Sequence, residues 1–270
     1  MLVVNNIFKT FNPGTPDEVR ALQGVSFSLD EGGFLVVIGT NGSGKTSLLN
    51  AVAGSFFIDS GEILIDGVDV GPMAEHQRAS LIGRVFQNPF LGTAADMTIE
   101  ENLTLAAKRG KRRGLGLCLN AAAAAGIKER VKSLTMALED RMTNIVGSLS
   151  GGQRQALTLL MATWSKPKLL LLDEHTAALD PKTAKKVVEL TEDVIKKHRL
   201  TTLMVTHSMQ QAVNLGDRII MMHKGRIVYD FKGDEKRLLR AGDLLALFNE
   251  IRRKEQIDIS AAEMLQRNYI

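Results

Sequence analysis

Residues 39–46 read Gly39-Thr40-Asn41-Gly42-Ser43-Gly44-Lys45-Thr46, followed by Ser47. This is the G-x-x-x-x-G-K-[ST] spacing, whose chemistry is the clasping of a nucleotide's phosphates. Gly42 and Gly44 let the main chain curl so that successive N–H groups converge on an anion. Lys45 is placed to reach the outer phosphates, and the Thr46 hydroxyl to ligate Mg²⁺. A glycine-rich turn with a chance lysine is the plain alternative, and the flanking residues argue against it. Phe34-Leu35-Val36-Val37-Ile38 is a continuous apolar run, as in a strand buried on both faces. Ser47–Ala53 reads as a short helix that Gly54 stops. Strand, glycine loop and helix form the context that the motif requires.

A second apolar run, Lys168-Leu169-Leu170-Leu171-Leu172, ends in Asp173-Glu174. A carboxylate at the end of a central strand beside a phosphate loop can hold Mg²⁺ directly or through water, which suits Asp173. Glu174, one residue on, is placed to orient or deprotonate the water that attacks the terminal phosphate. Without the phosphate loop, a solvated Asp-Glu turn would be the better reading. Leu149-Ser150-Gly151-Gly152-Gln153 is a third feature. Ser150 and Gln153 form an S-x-x-Q capping box ahead of a helix expected over Arg154–Trp164. The two glycines expose first-turn N–H groups to an anion. The local residues alone would also permit an ordinary helix start.

In this order, these elements resemble the ATP-binding cassette (ABC) ATPases, from about Leu2 to about Gly233. Leu149–Gln153 matches that family's signature motif in full, a far more specific signal than the phosphate loop. The resemblance implies an α/β fold: a P-loop NTPase core with a mainly parallel sheet, a small antiparallel β-subdomain and a helical subdomain. It also implies roles for residues that carry little information alone. Gln87 is similar to the Q-loop glutamine that senses Mg²⁺ and the attacking water. Asp180, in Ala178-Leu179-Asp180, resembles the D-loop aspartate, and before Pro181 it also reads as a helix cap. His207, after Leu203-Met204-Val205-Thr206, resembles the switch histidine that contacts the terminal phosphate. Phe11 stands where the family usually stacks a tyrosine on adenine, with core packing as the rival use of its ring.

On this resemblance Glu174, His207 and Gln87 are the catalytic set. Phe11, residues 39–46 and Ser47 bind ATP, and Thr46, Gln87 and Asp173 serve the metal. In the family two cassettes meet head to tail, so Ser150, Gly151, Gly152 and Gln153 serve the ATP of a partner subunit. The implied cofactors are ATP and Mg²⁺. The implied partners are a second ATPase subunit (a homodimer), transmembrane permease subunits and a separate solute-binding protein, on the cytoplasmic face of the cell membrane. Two positions depart from the family pattern. Thr40 replaces a common proline at no chemical cost, because backbone groups do the binding. His175 also stands where proline is usual. His175-Thr176-Ala177-Ala178-Leu179-Asp180 resembles a subgroup of solute-transport cassettes, some linked to amino-acid uptake. The implied function is ATP hydrolysis that powers a transporter, with import favoured. The alternatives are an exporter subunit, a soluble cassette ATPase acting on DNA or ribosomes, and an adaptor that binds ATP without turnover.

Composition agrees with these readings. No stretch of the 270 residues reaches the ~18 uninterrupted apolar residues of a membrane span. Met1–Asn6 has no basic segment leading into an apolar core, so no signal peptide is expected. A single cysteine, Cys118, excludes an internal disulfide and fits a reducing compartment. The net charge of +4 is too mild to demand nucleic acid, and the basic run Lys108–Arg113 reads as a solvated loop.

The expected division is a cassette over 1–233, with a helical subdomain about 88–150, and a short helical extension over 234–270. Leu2–Phe11, Val19–Leu29 and Glu62–Gly67 should supply the antiparallel layer. A Thr98–Glu101 capping box opens a helix through Ala107, and a second helix should run from Asn120 towards Leu138. The extension should hold helices Ala241–Glu255 and Ala261–Asn268. In the resembled family, the segment near Asn88–Met97 touches the membrane partner. One phosphate loop and one signature leave no internal duplication.

Overall fold

The computed structural model describes residues 1–110 and 121–253. Cys118, Lys111–Arg113, Asn120 and the expected Ala261–Asn268 helix lie outside the described residues. Two sheets form the body. The antiparallel sheet holds β1 (Leu2–Phe11), β2 (Val19–Leu29), β4 (Ser60–Ile65) and β5 (Val68–Asp69), in the order β2-β1-β4-β5. The second sheet holds β3 (Phe34–Gly39), β6 (Ile82–Val85), β7 (Leu169–Asp173), β8 (Thr201–Val205), β9 (Arg218–His223) and β10 (Arg226–Lys232). Its order is β10-β9-β3-β8-β7-β6, parallel throughout except for β10 at the edge. The helices are α1 (Lys45–Ala53), α2 (Glu75–Arg78), α3 (Ile99–Ala107), α4 (Ala121–Lys132), α5 (Gly151–Thr163), α6 (Pro181–His198), α7 (Met209–Asn214) and α8 (Gly233–Leu238). Residues 241–253 are also helical. The mixed α/β architecture with one parallel and one antiparallel sheet is the one the sequence led us to expect.

The unbroken apolar strands are explained by burial on both sides. Along β3, Leu35 and Val37 enter a core that also takes Leu2, Ile7, Leu48, Val52, Leu171 and Leu203. Val36 and Ile38 enter a second core with Leu170, Leu172, Met204 and Ile195. Thus α1 sits between the two sheets, and α6 covers the opposite face of the parallel sheet. A third core joins Ile99 and Leu103 of α3, Ile127 and Val131 of α4, and Leu157 and Met161 of α5. Leu244, in the 241–253 helix, is buried in the second core, so this segment packs on the cassette. The last carbonyls of α1 are met by a buried arginine: Arg78 Nη1 donates to Ala51 O and Val52 O, both at 2.8 Å.

Element ends differ from expectation: α1 begins at Lys45 rather than Ser47, β4 spans Ser60–Ile65 rather than Glu62–Gly67, and two further helices differ more. The signature helix begins at Gly151 rather than Arg154, because the Ser150–Gln153 box caps it and both glycines are helical. The second subdomain helix stops at Lys132 rather than near Leu138. Thr135 and Ala137 adopt positive φ, 52° and 53°, which breaks the helix while Leu134 and Leu138 still reach the third core. The Thr98 box forms as expected: Thr98 Oγ1 accepts from Glu101 N at 3.2 Å, and Glu101 Oε2 accepts from Thr98 N at 2.7 Å.

His175 is 1% exposed, and its Nε2 lies 3.1 Å from Thr191 Oγ1 on α6. It does not reach the sheet edge where the phosphate loop lies; it fills the base of α6. Burial pushes its pKa down to about 4, so the folded protein holds it neutral. The unfolded chain binds the extra proton below about 6.5, so stability is complete above that pH and falls as pH drops towards 4. The full loss is on the order of 3 kcal/mol. Urea unfolding at pH 7 and pH 4.5 should show His175→Gln losing clearly less stability than the parent chain. Equal losses would mean that His175 is not the group being titrated.

Candidate functional site

Parallel register brings four strand ends to one edge. Val37 and Asp173 both pair with Val205, and Val85 pairs with Leu172. The phosphate loop follows β3, Gln87 follows β6, Glu174 follows β7 and His207 follows β8. Ligands of open parallel sheets bind at this edge.

The loop is shaped by close backbone approach. Gly44 has φ 97°, and a Cβ there would sit 2.4 Å from Ala21 O on β2, so only glycine fits. Ser43 N donates to Thr40 O at 3.2 Å, and Ser43 O accepts from Gly225 N in the β9–β10 turn at 3.0 Å. The antiparallel sheet and that turn therefore brace the loop from two sides. The N-terminus of α1 has no side-chain cap and no acid in its first turn, so its N–H groups are left for an anion. Ser43 Oγ is buried with no hydrogen-bond partner. Lys45 is 5% exposed, and its Nζ donates to Gly39 O at 3.0 Å and to Thr40 O at 2.9 Å. Burial lowers the ammonium's pKa, while Glu174 and Asp173 favour its charge. Thr46 and Asn41 are exposed, and Ser47 is half-buried.

Across the edge, His207 Nε2 lies 2.6 Å from Glu174 Oε1, close enough to share one proton. The Glu174 side chain is 10% exposed and that of His207 49%, so the carboxylate is sheltered and the imidazole reaches solvent. Glu174 has φ 43°, uncommon for a residue with a side chain. Its N–H donates to Val205 O at 2.9 Å, and its carbonyl accepts from Ala177 N at 2.9 Å, which holds the turn. Burial raises the Asp173 pKa, and Arg84, Lys45 and His207 oppose that rise.

The signature, D-loop and aromatic positions lie apart from this cluster. Ser150 and Gly151 are exposed, and the hydrogen bonds of Ser150 and Gln153 run to each other and to Met136. A Cβ on Gly152 would lie 2.0 Å from Thr183 Cγ2, so this glycine lets α5 approach α6. Asp180 caps α6, its Oδ1 accepting from Thr183 N at 3.1 Å. The signature and D-loop thus form one exposed surface. The exposed Gln87 follows Phe86, whose carbonyl accepts from Gln155 Nε2 of α5 at 3.1 Å. Phe11 ends β1 opposite Val19 and packs edge-on against Phe56, with centroids 5.1 Å apart; its ring is half-buried.

Several groups of the site are absent from the sequence reading. Gln211 joins the turns after β7 and β8: its Oε1 accepts from Thr206 Oγ1 at 2.9 Å and its Nε2 donates to Thr176 Oγ1 at 3.0 Å. Arg84, on β6, pairs with Asp173 at 3.6 Å. An arginine inside the apolar run Leu81-Ile82-Gly83-Arg84-Val85 is a readable signal, since a buried charge needs a partner.

A family model described as ABC transporter matches residues 22–177. The tyrosine transport ATP-binding protein of Clostridioides difficile (strain R20291) is 42% identical over 250 residues, covering 92% of this chain and 98% of that protein. The methionine import ATP-binding protein MetN of Rhizobium johnstonii is 37% identical over 211 residues, covering 77% of this chain but only 56% of MetN. A solved dimeric cassette in a post-hydrolysis state, bound to ADP and Pi, superposes with a TM-score of 0.74 at 28% identity, covering 86% of this chain and 98% of that one. Such likeness in sequence and in structure places the chain in the ABC transporter family, among the ATP-binding subunits that hydrolyse ATP.

Proposed function

We propose that this chain powers the import of an amino acid, tyrosine or a close relative of it. It would act as a homodimer on the cytoplasmic face of the membrane, beneath transmembrane permease subunits supplied with solute by a separate binding protein. The observation that carries this reading is the end-to-end match to the tyrosine transport subunit, 42% identical across 98% of that protein. The MetN match supports import of an amino acid more generally. Among the described residues no helix is long and apolar enough to cross a membrane, so movement of solute would belong to partner chains.

In this reading the phosphates replace the Gly39 and Thr40 carbonyls as partners of Lys45, and the α1 N-terminus carries their charge. Ser43 Oγ, otherwise without a partner, fits the same anion. Thr46, Asp173 and Gln87 supply hard oxygen donors of the kind Mg²⁺ takes. Among the described residues no group of three or more His, Cys, Asp and Glu could hold a metal. That suits an ion bound through one or two side chains and the phosphates. The ion's contribution is to neutralise charge on the phosphoryl group being transferred.

Glu174 orients the attacking water and takes its proton, and His207, in contact with Glu174, reaches out to the terminal phosphate. The exposed Ser150–Gly151 end of α5 supplies a second helix N-terminus, presented to the ATP of the other copy. Two such ends around one triphosphate make closure favourable where water is excluded. ATP then favours the paired state, and hydrolysis removes that preference.

The permease contact is assigned to the segment after Gln87. Phe90 is 56% and Leu91 69% exposed, and the Phe90 ring lies 3.6 Å from the Arg154 guanidinium carbon of the signature helix. A partner pressing on Phe90 therefore bears on α5, while the same loop leads back to Gln87.

Two measurements test this. Glu174→Gln should retain ATP binding and slow phosphate release by about 10²–10⁴-fold, with ATP-bound dimers accumulating in sedimentation. Rapid turnover in that variant removes Glu174 from its role. In proteoliposomes holding the permease that co-purifies with the chain, Phe90→Ala with Leu91→Ser should abolish ATP-driven uptake of labelled tyrosine and spare basal hydrolysis. Uptake at the parent rate contradicts the docking assignment.

A further inference from the structure

Arg84 is the one cation of the phosphate edge that no motif accounts for. It stands on β6, three residues before Gln87, with its side chain 12% exposed. The two terminal nitrogens of the guanidinium are held, while Nε is buried without a hydrogen-bond partner. Nη2 donates to Asn50 Oδ1 at 2.5 Å, and Nη1 donates to Ser55 Oγ at 3.0 Å. Asn50 lies on α1, directly after the phosphate loop, and Ser55 just beyond that helix. The guanidinium carbon stands 4.5 Å from the centre of the Phe86 ring, and Glu75 lies 3.8 Å away on the outer side. So held, Arg84 places Nη2 3.6 Å from Asp173 Oδ2.

That separation is informative. It is too long for a hydrogen bond, so the lone pairs of Asp173 stay free for another ligand. It is short enough for full ion-pair attraction inside a sheltered site. A guanidinium free to choose would close on the carboxylate in a bidentate fork. Here Asn50 and Ser55 hold it back.

We infer that Arg84 is a positioning residue for the phosphate-site carboxylate, fixing the orientation and charge of Asp173 and tying both to α1 without occupying the oxygens that meet Mg²⁺. This rests on the proposed role of Asp173. Burial pushes the Asp173 carboxyl above the usual carboxylate range, and Arg84 is the strongest influence drawing it back, ahead of Lys45 and His207. Phe86 follows directly on that strand and leads into Gln87, so Arg84 also couples the start of the Q-loop to the metal-side carboxylate.

The test is the Mg²⁺ dependence of nucleotide binding, read by fluorescence of a labelled ATP analogue with no hydrolysis required. Arg84→Met should raise the Mg²⁺ concentration for half-saturation by roughly 10–100-fold, the usual cost of losing a group that supports a ligand. Binding without Mg²⁺ should change little. Arg84→Lys should recover most of the lost Mg²⁺ affinity, because it returns the charge. Asn50→Ala, which loosens the guanidinium without removing it, should shift the Mg²⁺ requirement in the same direction by less.

A folded Arg84→Met with the parent Mg²⁺ titration overturns the proposal. Should that variant fail to fold, an unshifted Asn50→Ala overturns it instead. Asp173→Asn separates the two layers of the argument. If it too leaves the Mg²⁺ requirement unchanged, the role of Asp173 falls and this proposal with it. If Asp173→Asn shifts the requirement and Arg84→Met does not, this proposal alone falls.

Discussion

Four strands running parallel in register force their C-terminal ends onto one edge, where the glycine loop, Asp173, Glu174 and His207 come together. Val205 of β8 is opposite both Val37 of β3 and Asp173 of β7. A slip of one residue in either pairing would turn every side chain of the strand to the opposite face. The Leu-rich β7 and the Val-rich β3 resist such a slip because each of their faces fills a different core. The packing of apolar side chains therefore fixes where Asp173 and Glu174 stand relative to Lys45. Charge is handled next. Lys45, Arg84, Asp173 and Glu174 are all largely withdrawn from water: Lys45 rests on backbone carbonyls, Arg84 pairs with Asp173, and Glu174 pairs with His207.

That balance makes the site ready for an anion without being rigidly committed to one. Lys45 rests on two loop carbonyls, contacts that a phosphate can outbid. Glu174 is held in an unusual backbone conformation by bonds to Val205 and Ala177, which directs its carboxylate to His207. Holding a side-chain-bearing residue there costs roughly 1–3 kcal/mol, offset by the surrounding structure. The Thr176–Gln211–Thr206 chain joins the two turns that carry Glu174 and His207.

Much of this was legible in the residues themselves. The buried strands were readable because both faces are apolar, and the phosphate loop because its glycines and lysine keep a strict spacing. Both capping boxes were readable because the reciprocal bonds of Thr98–Glu101 and Ser150–Gln153 close within a single turn. What escaped depends on contacts between distant segments. The end of α4 is set by Thr135 and Ala137 at positive φ, and neither residue type announces that conformation. Arg84 and Asn50 are far apart in the chain and meet only because the fold brings β6 beside α1. The packing of Phe11 on Phe56 likewise joins the end of β1 to the loop after α1.

Ser150 and Gly151 are exposed and bond to nothing in the phosphate loop of their own chain, while that loop's anion site is open at the sheet edge. The account therefore holds that each chain carries two halves of different sites, completed by a second copy. Complementation on mixing tests this most directly. Chains with Lys45→Ala lack the loop half, chains with Ser150→Arg lack the signature half, and each alone should release little phosphate. Mixed dimers hold one site with an intact loop from one chain and an intact signature from the other, so activity should return on mixing. If Ser150→Arg chains are fully active alone, or if mixing two folded, pairing variants restores nothing, the site is not shared between copies and the account fails.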